Sequence, residues 1–151
     1  MTAKEYLRQL SRMEAFIESK KERLAVLREI ASSCGAPALT GMPKNPSPTT
    51  SKMADAVCKA LDLEREIQQD EEKLRQKKVF LLDCIGQMEN TEYQTVIIGR
   101  YFKGDSWAEI AEKMFYSQRW IYELHGRALV ELDEILGRLQ STSVQFSPVQ
   151  Y

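Results

Sequence analysis

Gln118, Arg119, Tyr122 and Glu123 stand at i, i+1, i+4 and i+5. On an α-helix that spacing puts all four on one side of two successive turns. Their chemistry suits recognition of base edges. Arginine pairs with guanine, glutamine with adenine, and a carboxylate accepts from the amino group of cytosine. The complementary phase is apolar: Ile121, Leu124, Ala128, Leu129 and Leu132 form a row that must face a core.

The elements that would position these side chains can be read from their caps. Ser106 with Glu109 has the spacing of a reciprocal N-terminal cap for a short helix, and Ser117 caps the next one. Ala111 fits a close helix contact, with Ile110 and Met114 on the core face of the short helix. Two helices joined this way predict a helix-turn-helix, whose second helix enters the major groove of DNA. The residue after Met114 is Phe115, in a turn position that tends to the left-handed conformation and usually holds Gly or Asn. Phe115 and Tyr116 are expected to pack against the N-terminal helices. A preceding helix is predicted from a Thr91–Gln94 cap through Phe102, ended by Gly104 and Asp105.

The segment 93–132, YQTVIIGRYFKGDSWAEIAEKMFYSQRWIYELHGRALVEL, resembles region 4 of sigma-70-type transcription factors. RYF after an apolar helix, the gap with Gly104, EIA at 109–111, the Ser117 cap and RAL at 127–129 carry the likeness. The wording YS…IYxLHGxAL is similar to small phage and prophage proteins of Gram-positive bacteria, some of which regulate late transcription. The resemblance implies a regulator that reads promoter DNA and docks on RNA polymerase. Gln118, Arg119, Tyr122 and Glu123 are then base-reading. Lys103, Ser106, Trp107, Ser117 and Arg127 are the candidate phosphate contacts.

The charge distribution sets a limit on that reading. Net charge is −1, and residues 91–139 carry six basic and eight acidic side chains. Phosphate neutralisation supplies most non-specific affinity, so an unaided DNA-binding domain normally carries a basic footprint. Glu131, Asp133 and Glu134 instead follow the reading helix. Two functions from different classes therefore stand. One is a sequence-specific DNA-binding regulator helped by dimerisation or polymerase contact. The other is a protein-interaction module that occupies RNA polymerase or a phage partner without reading DNA.

Other chemistry has little support. Cys34, Cys58 and Cys84 are odd in number and lack a CxxC pair, which points to a reducing cytoplasm rather than to disulfides or zinc. His125 has no second ligand at helical spacing and is expected as a satisfied surface histidine. Trp107 and Trp120 are expected in a core or interface. There is no Gly-rich phosphate loop and no catalytic carboxylate pair, so neither an enzyme nor a bound cofactor or metal is expected. No apolar run approaches the roughly 18–20 residues that span a membrane, and the charged N-terminus lacks an export signal.

Upstream, a helix is predicted from the Thr2–Glu5 cap to Ser33, with Tyr6, Leu10, Met13, Ile17, Leu24, Leu27 and Ala31 as its seam. The Pro-rich stretch 34–50 reads as an exposed loop. A second helix runs from near Ser51 to Glu89, with Met53, Ala60, Ile67, Leu74 and Leu81 as seam and Val57, Glu64, Glu71, Lys78 and Ile85 on the alternate row. Folded back, the two helices match Ile17 with Ile67 and Leu24 with Ala60, and Lys20 with Glu64. The expected fold is all-α. It comprises a long antiparallel helical hairpin (1–90), a three-helix sigma-region-4-like helix-turn-helix domain (91–139) and a disordered tail (140–151). In the DNA-binding reading the N-terminal helices are expected either to form a homodimer or to contact RNA polymerase.

Overall fold

The computed structural model describes residues 2–33 and 48–145, and every regular element among them is helical. Most of the expected loop (34–47, with Cys34) and the end of the expected tail (146–151) lie outside the described residues. The elements are α1 (Ala3–Ser33), α2 (Pro48–Gly86), α3 (Thr91–Ile97), a wide π-helical turn (Ile98–Phe102), α4 (Trp107–Met114) and α5 (Gln118–Gln145). The protein is all-α. Helix α5 runs to Gln145, so residues 140–145, expected in the tail, are helical.

Two compact units divide the chain, one of residues 12–75 and the other of residues 1–11 with 76–151. The first turns of α1 and the last turns of α2 thus belong with the C-terminal helices.

In the unit 12–75, α1 and α2 share a core of Ile17, Leu24, Ala60, Leu63 and Ile67, with Leu27 and Leu74 packed against it. Ion pairs fix the direction. Lys20 Nζ lies 2.5 Å from Asp70 and 3.5 Å from Glu66, Lys21 lies 2.9 Å from Glu71, and Arg28 pairs with Glu64. Rising numbers on α1 meet falling numbers on α2, so the helices run antiparallel. The expected Lys20–Glu64 pair is not made. Helix α2 buries Ala56 and Leu63 as its second row, while Val57 is 39 % exposed. Burying Leu63 in place of its neighbour Glu64 spares a carboxylate the cost of leaving water. The same row brings Asp70 to Lys20 and leaves Glu64 on the flank for Arg28.

The other unit holds all of the largest fully buried side chains of the described residues: Leu7, Leu81, Cys84, Ile85, Val96, Ile97, Ile121, Leu132, Ile135 and Leu136. Helix α1 opens on a reciprocal cap. The Glu5 amide donates to Thr2 Oγ1 (3.2 Å), and the Thr2 amide donates to Glu5 Oε2 (3.0 Å). Helix α2 stops at Gly86, before the expected Glu89. The Gln87 and Met88 amides close a tighter turn on the carbonyls of Cys84 and Ile85. Asn90, not Thr91, caps α3, its side chain accepting from the Glu92 amide at 2.9 Å. Gln94, expected in that cap, donates instead to the Met88 carbonyl at 2.7 Å.

Beyond Ile97 the helix widens. The Lys103 amide reaches back five residues to the Ile98 carbonyl, and the Asp105 amide bonds the Gly99 carbonyl at 2.9 Å. Gly99 is buried under Ile110, whose Cγ1 would lie only 3.4 Å from an added Cβ. Two carboxylates of α5 bind backbone elsewhere in the unit. Glu131 accepts from the Glu89 amide at 3.0 Å, and Asp133 accepts from the Ala3 amide in the first turn of α1. Asp133 fills a donor that the first turn of α1 leaves open, and Glu131 fills one in the connector between α2 and α3.

Replacing Asp133 by Ala should therefore destabilise the protein as loss of a helix cap does, by about 1 kcal/mol. Urea unfolding monitored by circular dichroism measures this, and an unchanged midpoint would remove the bond's role.

Candidate nucleic-acid interface

Helix α4 is held at its start by a full reciprocal cap. The Glu109 amide donates to Ser106 Oγ (3.2 Å), and the Ser106 amide donates to Glu109 Oε2 (3.0 Å). At its other end Phe115 adopts φ 59°, ψ 37°, the left-handed conformation expected of that position. This bend lets the Tyr116 amide bond the Ala111 carbonyl at 3.0 Å, closing the open end of α4. Ser117 then caps α5, its Oγ accepting from the Trp120 amide at 3.2 Å. Val96, Ile110, Ala111, Ile121 and Leu124 form the core behind this turn, with Tyr93, Trp107 and Met114 against it. Ala128 and Leu132 continue the buried row along α5.

Because Ile121 and Leu124 point inward, Gln118, Arg119, Tyr122 and Glu123 are all exposed. Their surroundings divide them. Gln118 and Arg119 have no side-chain partner among the described residues. The Tyr122 ring stands edge-on to Trp107, with centroids 5.2 Å apart. Glu123 Oε1 lies 3.2 Å from Arg127 Nη2, and the Arg127 guanidinium sits 5.4 Å from the Trp120 ring centre.

The candidate phosphate contacts divide as well. Lys103 is exposed, beyond the wide turn, with no side-chain partner among the described residues. The hydroxyl oxygens of Ser106 and Ser117 accept from cap amides, which leaves each hydroxyl proton to donate. Arg127 is shared between Glu123 and Trp120. Trp107 is half-buried under the Arg100 guanidinium, 4.6 Å from its ring centre, which leaves little of it for a ligand.

Two side chains depart from expectation. Phe115 does not pack against the N-terminal helices; it is 93 % exposed. Its neighbour Tyr116 turns to α3, donating its hydroxyl to Glu92 at 2.6 Å, and its ring meets Trp120 at 6.4 Å. His125 is half-buried rather than on the surface. Its Nε2 lies 2.8 Å from the Tyr101 hydroxyl, and its ring meets Trp107 at 4.8 Å. The cluster of Arg100, Tyr101, Trp107 and His125 has no signature in linear spacing, because the wide turn carries its first two members.

The acidic side chains of this region are largely engaged. Glu109 and Asp133 sit at helix starts, and Glu131 bonds the Glu89 amide. Asp105 holds Lys113 at 2.9 Å, Glu92 takes the Tyr116 hydroxyl, and Glu123 takes Arg127. The described residues also hold no cluster of His, Cys, Asp and Glu fit for a metal ion. No helix is long and apolar enough to cross a membrane among the described residues. No protein-family model, curated protein or solved structure matches the chain.

Burial lowers the His125 pKa below its ordinary 6.5, and the positive charges of Arg100 and Lys4 lower it further. The unfolded chain therefore takes up the proton first as pH falls. Stability conferred by neutral His125 is complete above 6.5 and is lost as pH drops from there through the lowered folded value. His125 is the chain's one histidine. The melting temperature of the wild type should fall as pH drops below 6.5, and that slope should flatten in His125→Gln. Parallel pH profiles for the two proteins would reject the assignment.

Proposed function

We propose that this protein is a sequence-specific, double-stranded-DNA-binding transcriptional regulator of the phage or prophage type, acting in the cytoplasm of a bacterial host. In this reading α3, α4 and the start of α5 are a sigma-region-4-like helix-turn-helix domain, and the two long helices are its antiparallel hairpin. The observation that carries the reading is the first turn of α5. There Gln118 and Arg119 stand exposed and unengaged, directly after the Ser117 cap and over the buried Ile121–Leu124 row. An unpaired guanidinium and amide on a braced helix are what base-edge recognition needs. Tyr122 and Glu123 extend the face, Glu123 with Arg127 as a preset pair.

The acidic count weighs less against DNA than composition suggests, since six of the eight carboxylates already meet an internal donor. The phosphate grip is still small, with Lys103 and Arg119 its unengaged cations. A second copy supplies avidity. The hairpin unit leaves Phe16, Val26, Ile30 and Leu61 between 44 % and 68 % exposed. Two helices bury one seam only, and a second hairpin would cover these residues as a four-helix bundle does. A specific observation also favours the second reading, docking on RNA polymerase or a phage partner without DNA contact. Trp120 and Tyr122 are 37 % and 51 % exposed beside Arg127, and interface hot spots are rich in these residue types.

Purified protein should recover a defined sequence from a random duplex pool. Arg119→Ala or Gln118→Ala should weaken binding to it roughly 5- to 150-fold, the range for losing one bidentate base contact. Polymerase association that survives both changes, with no sequence recovered, would transfer the function to the second reading. Sedimentation equilibrium should give twice the chain mass, reduced to one chain mass in Val26→Glu. A monomeric wild type would discard the dimer.

A further inference from the structure

Phe115 holds a conformation that glycine adopts freely and that a side chain with a Cβ resists. The cap bond from the Tyr116 amide to the Ala111 carbonyl needs this bend but not a side chain, and nothing inside the protein covers the one that Phe115 carries. Its ring is 93 % exposed and has no aromatic partner among the described residues, whereas Tyr116 beside it is anchored on Glu92 and Trp120. Other exposed apolar residues of this unit, such as Val79 and Val130, sit in ordinary helix where exposure brings no backbone strain. A strained non-glycine residue that presents a large apolar ring to water is a mark of function. Its place is equally specific. It lies two residues before the Ser117 cap and three before Gln118, at the entrance to the helix that carries the reading face.

We infer that Phe115 is a specificity-determining residue, its ring packing on a thymine 5-methyl group beside the bases read by Gln118 and Arg119. The inference rests on the DNA reading proposed above. On the major-groove edges of the base pairs, that methyl is the apolar group a phenyl ring can select; the other distinguishing groups are donors and acceptors. Such a contact also suits a protein with few unengaged cations. Apolar burial adds affinity that salt does not screen, unlike phosphate pairing.

The test compares wild type, Phe115→Ala and Phe115→Gly on the duplex pool that the wild type recovers. That pool is copied once with dTTP and once with dUTP, so the copies differ only in the methyl group. The wild type should bind the dUTP copy about fourfold more weakly for each methyl contacted, the effect of one buried carbon. Phe115→Ala should bind both copies alike and melt as the wild type does, because it keeps the left-handed Cβ. Phe115→Gly should also lose the discrimination while melting roughly 2–4 °C higher, since the strain is removed.

Equal wild-type binding to the two copies, or discrimination that persists in Phe115→Ala, overturns the inference and leaves DNA reading intact. A Phe115→Gly protein that melts no higher overturns the argument from strain. Recovery of no DNA by the wild type defeats the DNA reading and this inference together. If Phe115→Ala instead loosens a polymerase complex without any effect of the methyl, the ring belongs to a protein surface and the inference falls.

Discussion

One face of α5 must satisfy several neighbours at once. Ile121, Leu124, Ala128, Leu132, Ile135 and Leu136 are each withdrawn from water almost completely. The N-terminal part of that face closes on Val96 of α3 and on Ile110 and Ala111 of α4. Further along, Glu131 and Asp133 bond the backbone at Glu89 and at the first turn of α1. A helix held along one face and bonded along its flank cannot rotate about its own axis. The outward direction of Gln118, Arg119, Tyr122 and Glu123 follows from that restraint, not from any preference of those side chains. Their exposure is the complement of the apolar row.

The start of α5 was legible because two kinds of signal agree there. Ser106, Glu109 and Ser117 are cap residues at cap spacing, and Ile110, Ala111, Ile121 and Leu124 have the period of a buried stripe. The long helices were less legible. A heptad seam leaves open which neighbouring row joins it, and α2 offers Val57 with Glu64 on one side and Ala56 with Leu63 on the other. Burial of Leu63 decides between them, and the partner of Lys20 changes with that choice. Asn90 took the cap assigned to Thr91 because both residue types accept hydrogen bonds and they are adjacent. The contact of Tyr101 with His125 was not legible at all, since it depends on an irregular turn.

Charge counts and charge roles also diverge. Composition records eight carboxylates between 91 and 139 as a barrier to a polyanion. In the folded unit most of them complete helix starts or hold a neighbouring side chain, as Glu109, Asp133 and Asp105 do. They still contribute to the long-range field. Locally they leave Arg119 and Lys103 unopposed, and those are the cations at or near the first turns of α4 and α5.

The wide turn at Ile98–Phe102 has a geometric meaning as well. An α-helix advances 100° per residue, so a turn that closes over five residues instead of four holds one residue more than a regular turn would. The residues of the turn itself are displaced in azimuth by that amount. Arg100 thereby comes over Trp107, Tyr101 reaches His125, and Gly99 receives Ile110. In this part of the chain, length is thus a stricter constraint than residue identity. Many substitutions between 98 and 102 keep the phase, but removing one residue would draw Arg100 from Trp107 and Tyr101 from His125 while α5 stays held by α3 and α1.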